Sequence, residues 1–499
     1  MVIDNILPSF FLRVLYRIRP DWRKSSWPLT SLVISVVCII AGYFLMVGIA
    51  RDNYTLRTFS IGGLTLFALS LHLLVRNTLR DPFHPDILLT IGHLIQFVIP
   101  CMIFATGFFD DTAYTAYIES PHIYQVQFFS PEALFAVLVG QTLFNISFCI
   151  YPLSRIRAIE QSATKWTAFI ILLATAAWAS RLFMVLTDSY FHGRHSDFMF
   201  KSVFFSPMAT FSTMGRIVTA YMAIRIFKSK GIWKEKTAKI YLVTEIAWSL
   251  FSGVREDLLI TIVCIILGYI IVHREIPLLY SFAFLLVLLA GLPFFHYYRI
   301  AMNSQPDSQK VSIITASKQA IALQKKFGSK IAFFRVVERL NDAQYTAGCL
   351  KLVPESMPFL HGKTYKMICW IPVPRVLYPA RPKFTVNYLS LADPEVTSSS
   401  APVTAVGEAY INFGWFGIPI VFVILGLVYR GMDSVFKSRL TYNQAAILIF
   451  FSTLVARMTV NPVVSHLSWM LKIILLLIAC RVLERLACFR HKLSARANQ

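Results

Sequence analysis

The chain has 499 residues, of which 56% are hydrophobic and only 15% are charged. A soluble protein carries about 25% charged residues, so this composition excludes an ordinary soluble enzyme and favours a polytopic helical membrane protein. The net charge of +22 is what basic cytoplasmic connectors give such a protein, and we therefore expect no nucleic acid among its partners.

Apolar segments recur along most of the chain. About 20 apolar residues in a helix cross the hydrocarbon core of a bilayer, which is roughly 30 Å thick. The pattern predicts an all-α fold, a polytopic transmembrane helix bundle of about twelve spans. The predicted spans cover residues 28–50, 55–76, 86–108, 131–152, 166–186, 203–227, 238–252, 255–272, 276–296, 404–429, 444–462 and 464–485.

The connectors set the predicted orientation. Residues 17–24 (RIRPDWRK), 154–165 (SRIRAIEQSATK), 225–239 (RIFKSKGIWKEKTAK) and the tail 490–499 are basic, whereas 108–120 (FFDDTAYTAYIES) carries acids and no Lys or Arg. Basic connectors stay in the cytoplasm, which places both termini there and requires an even number of spans. Twelve meets that requirement.

One connector is much longer than the others. We divide the chain into an N-terminal transmembrane bundle of about nine spans (1–296), a large periplasmic loop between spans nine and ten (297–404), and about three C-terminal spans with a basic cytoplasmic tail (405–499). The loop is basic, with 14 Lys and Arg against 6 Asp and Glu. Its first part predicts one or two amphipathic helices with a break at Gly328 and Ser329, and its Pro-rich second part is not regular helix.

The loop contains two cysteines, Cys349 and Cys369. An oxidising compartment permits a disulfide between them, and buried free thiols are the alternative.

Charged residues at membrane depth are costly and therefore candidates for function. Arg216 in span six and Glu245 in span seven are candidates of this kind, and mutual neutralisation inside the bundle is the structural alternative.

Arginines on the outer side of the membrane are more informative, since short outer loops normally avoid basic residues. They are Arg181, Arg194, Arg255, Arg299, Arg375, Arg381 and Arg457. Because arginine binds phosphate through two hydrogen bonds and keeps its charge, a converging set of them suits a diphosphate. Pairing with Asp197, Glu256 or Asp257 is the alternative for each one.

Signatures of cofactor chemistry are missing from the sequence. It has no phosphate-binding glycine loop, no dinucleotide-binding turn and no clear cluster of metal ligands. We therefore expect an enzyme of this sequence to use neither a cofactor nor a metal.

Four motifs, in this order and topology, resemble those of the bacterial O-antigen or oligosaccharide repeat-unit polymerases of the Wzy type. They are RDPFHPDILL (80–89), FSGVREDLLITIV (251–263), LHGKTYKMICWIPVPRVLYPARP (360–382) and GEAYINFGWFGIPIVFVILGLVYRG (407–431). The resemblance covers the layout of nearly the whole chain, including the long loop before the last spans.

The resemblance implies a membrane-embedded glycosyltransferase of the GT-C-like kind in the bacterial inner membrane, with its active site facing the periplasm. Such an enzyme transfers a growing glycan from an undecaprenyl-diphosphate donor to an acceptor repeat unit on the same carrier. A polysaccharide chain-length regulator is a further expected partner. Arg194, Arg255, Arg299, Arg375, Arg381 and Arg457 would then bind the diphosphate and stabilise it as the leaving group.

Two residues of the motif segments are candidates for the base that activates the acceptor hydroxyl, first Glu408 and second His361. For Glu408 the alternatives are a salt bridge to an arginine and a helix N-terminal acid favoured by the macrodipole. For His361 the alternative is an ordinary loop hydrogen bond. Tyr378, Tyr410 and Asn412 are candidates for sugar binding, and helical spacing predicts that Glu408 and Asn412 share one face.

Three other functions fit parts of the sequence. An O-antigen ligase would share the fold and the donor. A transporter or flippase for the lipid-linked oligosaccharide would show pseudo-symmetric halves and charges along a central pathway, whereas here charge is concentrated at one face. A scaffolding membrane protein would leave the outer arginines unexplained.

Overall fold

The structure is a computed structural model. It describes residues 27–48, 53–76, 83–109, 130–149, 168–187, 205–229, 235–251, 255–273, 313–370, 403–436, 441–457 and 462–476, and the short pieces 275, 294, 297–298, 300–301, 373, 378, 478–479 and 482.

Helices account for nearly all of the described residues, and no β-strand occurs among them. The N-terminal bundle contains α1 (Trp27–Gly48), α2 (Tyr54–Arg76), α3 (Pro85–Ala105), α4 (Pro131–Cys149), α5 (Ala168–Leu186), α6 (Phe205–Lys228), α7 (Lys236–Phe251) and α8 (Arg255–His273). The long connector contains α9 (Ile313–Leu340) and α10 (Asp342–Leu352), followed by a short 3-10 helix (Tyr365–Trp370). The C-terminal part contains α11 (Ala405–Phe413), α12 (Gly417–Phe436), α13 (Tyr442–Ala456) and α14 (Val463–Leu476).

A described helix lies at each predicted span except the ninth (276–296), which falls outside the described residues apart from Phe294. Four segments are long and apolar enough to cross a membrane by length and composition: Tyr54–Leu74, Pro85–Ala105, Ala168–Leu186 and Ala405–Met432. Shorter apolar helices occupy four other predicted spans. The all-helical fold is therefore confirmed for the described residues, whereas the number of spans and the outer position of the long loop stay predictions.

The surface of the bundle is apolar as well as its interior. Phe44 on α1 is 67% exposed and Leu186 on α5 is 76% exposed. Apolar side chains on the outside of a helix bundle are what a hydrocarbon environment requires, since water would penalise them. The interior is built by α6, which packs against α5, α8 and α13, and by α4, which packs against α2 and α12.

A short break separates α11 from α12. Gly414 ends α11 with a positive φ of 65°, a conformation that favours glycine. Gly417 then begins α12 so close to α11 that a Cβ on it would come within 2.2 Å of the Ala409 carbonyl oxygen. The two glycines let the chain turn sharply where the apolar span begins.

The first half of the long connector is helical as predicted. Within α9 the chain leaves the helical conformation at Gly328, whose φ is 80°, and this confirms the predicted break. The next helix, α10, packs against α11 and α4. The connector is thus joined to the C-terminal helices.

Candidate functional site

Two of the four sequence motifs meet in the structure, although about 50 residues separate them in the chain. The N–H of Leu360 donates to the Ile411 carbonyl at 2.9 Å, and the N–H of His361 donates to the Asn412 carbonyl at 3.1 Å. These carbonyls lack helical partners because α11 ends at Phe413. The segment 360–370 therefore lies along the C-terminal end of α11.

Side chains strengthen this contact. The Asn412 amide nitrogen donates to the Thr364 hydroxyl at 2.7 Å and to the Glu408 carbonyl oxygen at 2.8 Å. The ring of Tyr365 stacks on that of Phe413, with 5.9 Å between centroids. The predicted common face of Glu408 and Asn412 is confirmed, and the segment 360–370 covers it.

Glu408 is fully buried, with 0% exposure. Its Oε2 accepts a hydrogen bond from the Val463 N–H at 2.5 Å. Val463 is the first residue of α14, where backbone N–H groups lack helical partners and the helix dipole favours negative charge. Among the described residues no arginine or lysine lies within ion-pair distance of this carboxyl. Glu408 lies in the first turn of α11, as the helix N-terminal alternative expects, and it also binds the N-terminus of α14, a helix distant in sequence.

Helix α10 and the residue that follows it also contact α11. The hydroxyls of Thr346 and Thr404 are 2.7 Å apart, and the Tyr410 hydroxyl donates to the Val353 carbonyl at 3.2 Å. Thr404 also caps α11 by accepting the Gly407 N–H at 3.0 Å. Tyr410, a predicted sugar-binding residue, therefore has its hydroxyl engaged in a contact with the protein backbone.

The two cysteines of the connector are not bonded to each other. Both are free thiols, but the alternative of a buried free thiol describes only Cys349, because Cys369 is exposed. Burial raises the pKa of Cys349 to about 12, and the nearby Glu408 charge adds to this effect. The Cys349 thiol therefore stays protonated, and it serves as a small packing group against Gly407.

Polar atoms without partners cluster around Glu408. Glu408 Oε1, Asn412 Oδ1 and the Tyr365 hydroxyl are all buried and have no hydrogen-bond partner among the described residues. The Thr364 hydroxyl also lies beside the Glu408 carboxyl. A buried polar atom without a partner costs about 1–3 kcal/mol, so a native protein that keeps several together commonly uses them.

The other predicted catalytic residue, His361, lies at the edge of this cluster. Its side chain is exposed, and its backbone has a positive φ of 47° next to Gly362 at 79°. A non-glycine residue in this region is uncommon, although histidine tolerates it better than most residues. His361 is thus positioned by its backbone bond to Asn412 while its ring faces outward.

The predicted diphosphate site is described only in part. Arg194, Arg299, Arg375 and Arg381 lie outside the described residues. Arg255 begins α8, but its side chain lies outside the description, and Arg457 is a half-buried residue at the end of α13. Tyr378 is 44% exposed and stacks on Trp370 at 5.2 Å. Convergence of the arginines therefore stays a prediction.

A second polar cluster lies between α5, α6, α7 and α8. Arg181 forms two hydrogen bonds to Glu245, and Arg216 pairs with Asp257. The pairing of Arg216 with Glu245 considered from the sequence is not the one that forms, because Arg181 reaches Glu245 from the neighbouring helix. These groups line a small cavity of about 30 Å³, enough for one or two water molecules.

Comparisons with known proteins bear on the C-terminal part of the chain. Residues 402–487 match the family model described as O-antigen polysaccharide polymerase Wzy. Neither the curated proteins nor the solved structures give a match. The matched segment begins just before α11 and includes Glu408, Asn412 and Val463. The resemblance drawn from the sequence motifs is therefore confirmed: over residues 402–487 the chain is similar to the Wzy family of O-antigen polymerases.

Proposed function

We propose that this protein polymerises undecaprenyl-diphosphate-linked oligosaccharide repeat units into O-antigen or a related surface polysaccharide at the periplasmic face of the inner membrane. The strongest support for this function comes from the position of Glu408. The segment that matches the polymerase family contains both Glu408 and its partner Val463, so the family likeness covers the carboxyl at the centre of the buried polar cluster.

The reaction needs a base and a stabilised leaving group. An acceptor hydroxyl oxygen attacks the anomeric carbon of the donor glycan, the bond from that carbon to the diphosphate oxygen breaks, and the diphosphate leaves with the electron pair. The hydroxyl proton passes to a base. Glu408 is our first candidate for this base, since its Oε1 has no hydrogen-bond partner among the described residues. His361 is the second candidate.

The two candidates differ in how an acceptor would reach them. His361 is exposed, so a sugar approaches it without rearrangement. Glu408 lies beneath the segment 360–370, which is held to α11 by a few hydrogen bonds and one ring stack. Use of Glu408 therefore requires this segment to open, and we assign to it the role of a cover over the acceptor site.

We assign the diphosphate to the outer arginines other than Arg181. Arg181 and Arg216 are held by Glu245 and Asp257, so their charge is balanced inside the bundle. The proposed diphosphate ligands are Arg194, Arg255, Arg299, Arg375, Arg381 and Arg457. Their positive charge would take up the charge that develops on the leaving group.

The proposed topology places the connector 297–404 in the periplasm and both termini in the cytoplasm. Exposed lysines on α9, Lys318, Lys325 and Lys330, then contribute to a basic outer surface. This surface suits diphosphate-bearing lipids, and we assign to it the contact with a chain-length regulator.

Deleting the gene in its host and separating the surface lipopolysaccharide on a gel tests the proposal. A polymerase mutant shows core carrying a single repeat unit, and the plasmid-borne gene restores the ladder. Core without any repeat, with lipid-linked polymer accumulating, would indicate a ligase instead. Loss of all periplasmic repeat units would contradict both and favour a flippase.

Arg255→Ala tests the diphosphate assignment in the same strain. We expect this variant to lose chain extension, because a charge at the start of α8 would be missing from the leaving-group site. A ladder of wild-type length from a normally expressed Arg255→Ala protein would remove Arg255 from the site.

A further inference from the structure

The orientation of the Asn412 amide is fixed by its surroundings. Its nitrogen lies 2.8 Å from the Glu408 carbonyl oxygen, which only accepts hydrogen bonds, and 2.7 Å from the Thr364 hydroxyl. The reversed amide would set two acceptors against each other. Oδ1 is therefore a true acceptor, it is buried, and it has no donor among the described residues.

The Tyr365 hydroxyl is the complementary group. Burial raises its pKa, and the charge of Glu408 raises it further. The hydroxyl therefore keeps its proton and acts as a donor. Its ring is fixed by stacking on Phe413, and its neighbour Thr364 accepts from Asn412, so Tyr365 is held against the same turn of α11.

The cluster thus offers two acceptors, Glu408 Oε1 and Asn412 Oδ1, and one donor, the Tyr365 hydroxyl. A phosphate group supplies acceptors only, and the two acceptor oxygens would repel it. A pair of neighbouring sugar hydroxyls supplies two donors and several acceptor lone pairs, which matches this set.

We propose that Tyr365 is a substrate-binding residue that completes, with Glu408 and Asn412, a site for two neighbouring hydroxyls of the acceptor sugar. One hydroxyl donates to Glu408 Oε1 and is the one that is activated, and its neighbour donates to Asn412 Oδ1. The Tyr365 hydroxyl donates to one of the two sugar oxygens and so fixes the sugar ring. This assignment rests on the proposed polymerase function and adds Tyr365 to it.

The site also gives the cover segment a second role. Tyr365 belongs to the segment 360–370, so closing that segment over α11 brings the donor to the two acceptors. Binding of the acceptor and closure of the cover are then the same event, and water is excluded from the activated hydroxyl.

Tyr365→Phe tests the proposal, because it removes one oxygen and keeps the ring that stacks on Phe413. The buried Tyr365 hydroxyl has no partner among the described residues, so its removal should leave the thermal stability unchanged or raise it, since no hydrogen bond is lost. The activity should behave differently. With purified full-length protein and the host's lipid-linked repeat unit, we expect the rate of chain extension at low substrate to fall about tenfold or more, mainly through a higher apparent KM.

Two further variants make the result specific. Tyr43→Phe changes an exposed tyrosine on α1 and should change neither the activity nor the melting temperature. Thr364→Val, one residue from Tyr365, removes an acceptor of the Asn412 amide and should lower the melting temperature. A lower melting temperature for Thr364→Val beside an unchanged or higher one for Tyr365→Phe would show that the Tyr365 hydroxyl forms no hydrogen bond within the protein.

Two results would overturn the proposal. A lower melting temperature for Tyr365→Phe would show that the hydroxyl holds a structural water. Wild-type extension kinetics for Tyr365→Phe would show that the hydroxyl does not touch the substrate. If the wild-type protein itself fails to extend the chain, the polymerase function fails with it, which distinguishes the two failures.

Discussion

Glu408 joins two helix ends that are far apart in the sequence. It lies on the first turn of α11, and its Oε2 holds the N-terminal N–H of α14. The second oxygen has no partner among the described residues. The Glu408 carboxyl therefore links α11 to α14 through one oxygen and leaves the other oxygen as an acceptor for a ligand.

The packing around Gly417 leaves no room for a side chain. A Cβ there would lie 2.2 Å from the Ala409 carbonyl oxygen and 3.0 Å from the Phe413 Cβ. We predict that Gly417→Ala destabilises the protein by about 1–3 kcal/mol and shortens the polysaccharide ladder, because α11 must move away from α12. Thermal unfolding of the detergent-solubilised protein measures the first effect.

Gly431, on the same helix, is the matched control. No atom of the described residues lies within 4 Å of a Cβ built there, so Gly431→Ala should be neutral or stabilising by up to about 1 kcal/mol. Equal melting temperatures for the two variants would show that α11 and α12 are not in contact as described.

At the scale of elements, the polar cluster between α5 and α7 has a structural task. Arg181 lies between Trp178 and Trp248, at 5.0 and 5.2 Å from the ring centroids, and both its terminal nitrogens bind Glu245. A buried pair of this kind is costly to break from one side, because the remaining charge has no partner. The pair therefore fixes which faces of α5 and α7 meet.

We predict that Arg181→Leu lowers the stability by about 3–5 kcal/mol, whereas Arg181→Leu combined with Glu245→Leu recovers most of the loss. The melting temperatures of Arg181→Leu, Glu245→Leu and the double variant measure the coupling free energy between the two side chains. Additive losses in the double variant would mean that the two side chains do not depend on each other.

At the scale of the whole molecule, most of the helical layout could be predicted from the sequence. Hydrophobic runs predicted spans one to eight with ends within three residues of the described helices, and Gly328 marked the break in α9. Local spacing also placed Asn412 on the face of Glu408. These features depend on residues that are close together along the chain.

Contacts between distant residues could not be predicted in this way. The Val463 N–H that binds Glu408 is 55 residues away, and a backbone donor leaves no signal in side-chain type. Likewise Arg181 and Arg216 are both arginines on apolar helices, and only the rotation of α5 and α6 decides which of them reaches Glu245. The contact of Thr364 with Asn412 was missed for the same reason, although both lie in motif segments.

The orientation in the membrane can be tested through Cys369. Its thiol is exposed, whereas the other described cysteines with assigned burial, Cys38, Cys101, Cys264 and Cys349, are buried. With the connector in the periplasm, a membrane-impermeant maleimide should label the protein in cells whose outer membrane alone is permeabilised, and Cys369→Ser should abolish that label. Labelling that requires a broken inner membrane would reverse the proposed topology.

We propose that the cluster around Glu408 extends a lipid-linked glycan. The most direct test is to reconstitute the purified protein in liposomes with the host's lipid-linked repeat unit and to separate the products by size. We predict a ladder of multi-repeat products for the wild-type protein and only single repeats for Glu408→Gln, whose amide oxygen still accepts the Val463 N–H and preserves the fold. A wild-type ladder from Glu408→Gln, or no extension by the wild-type protein, would contradict the account.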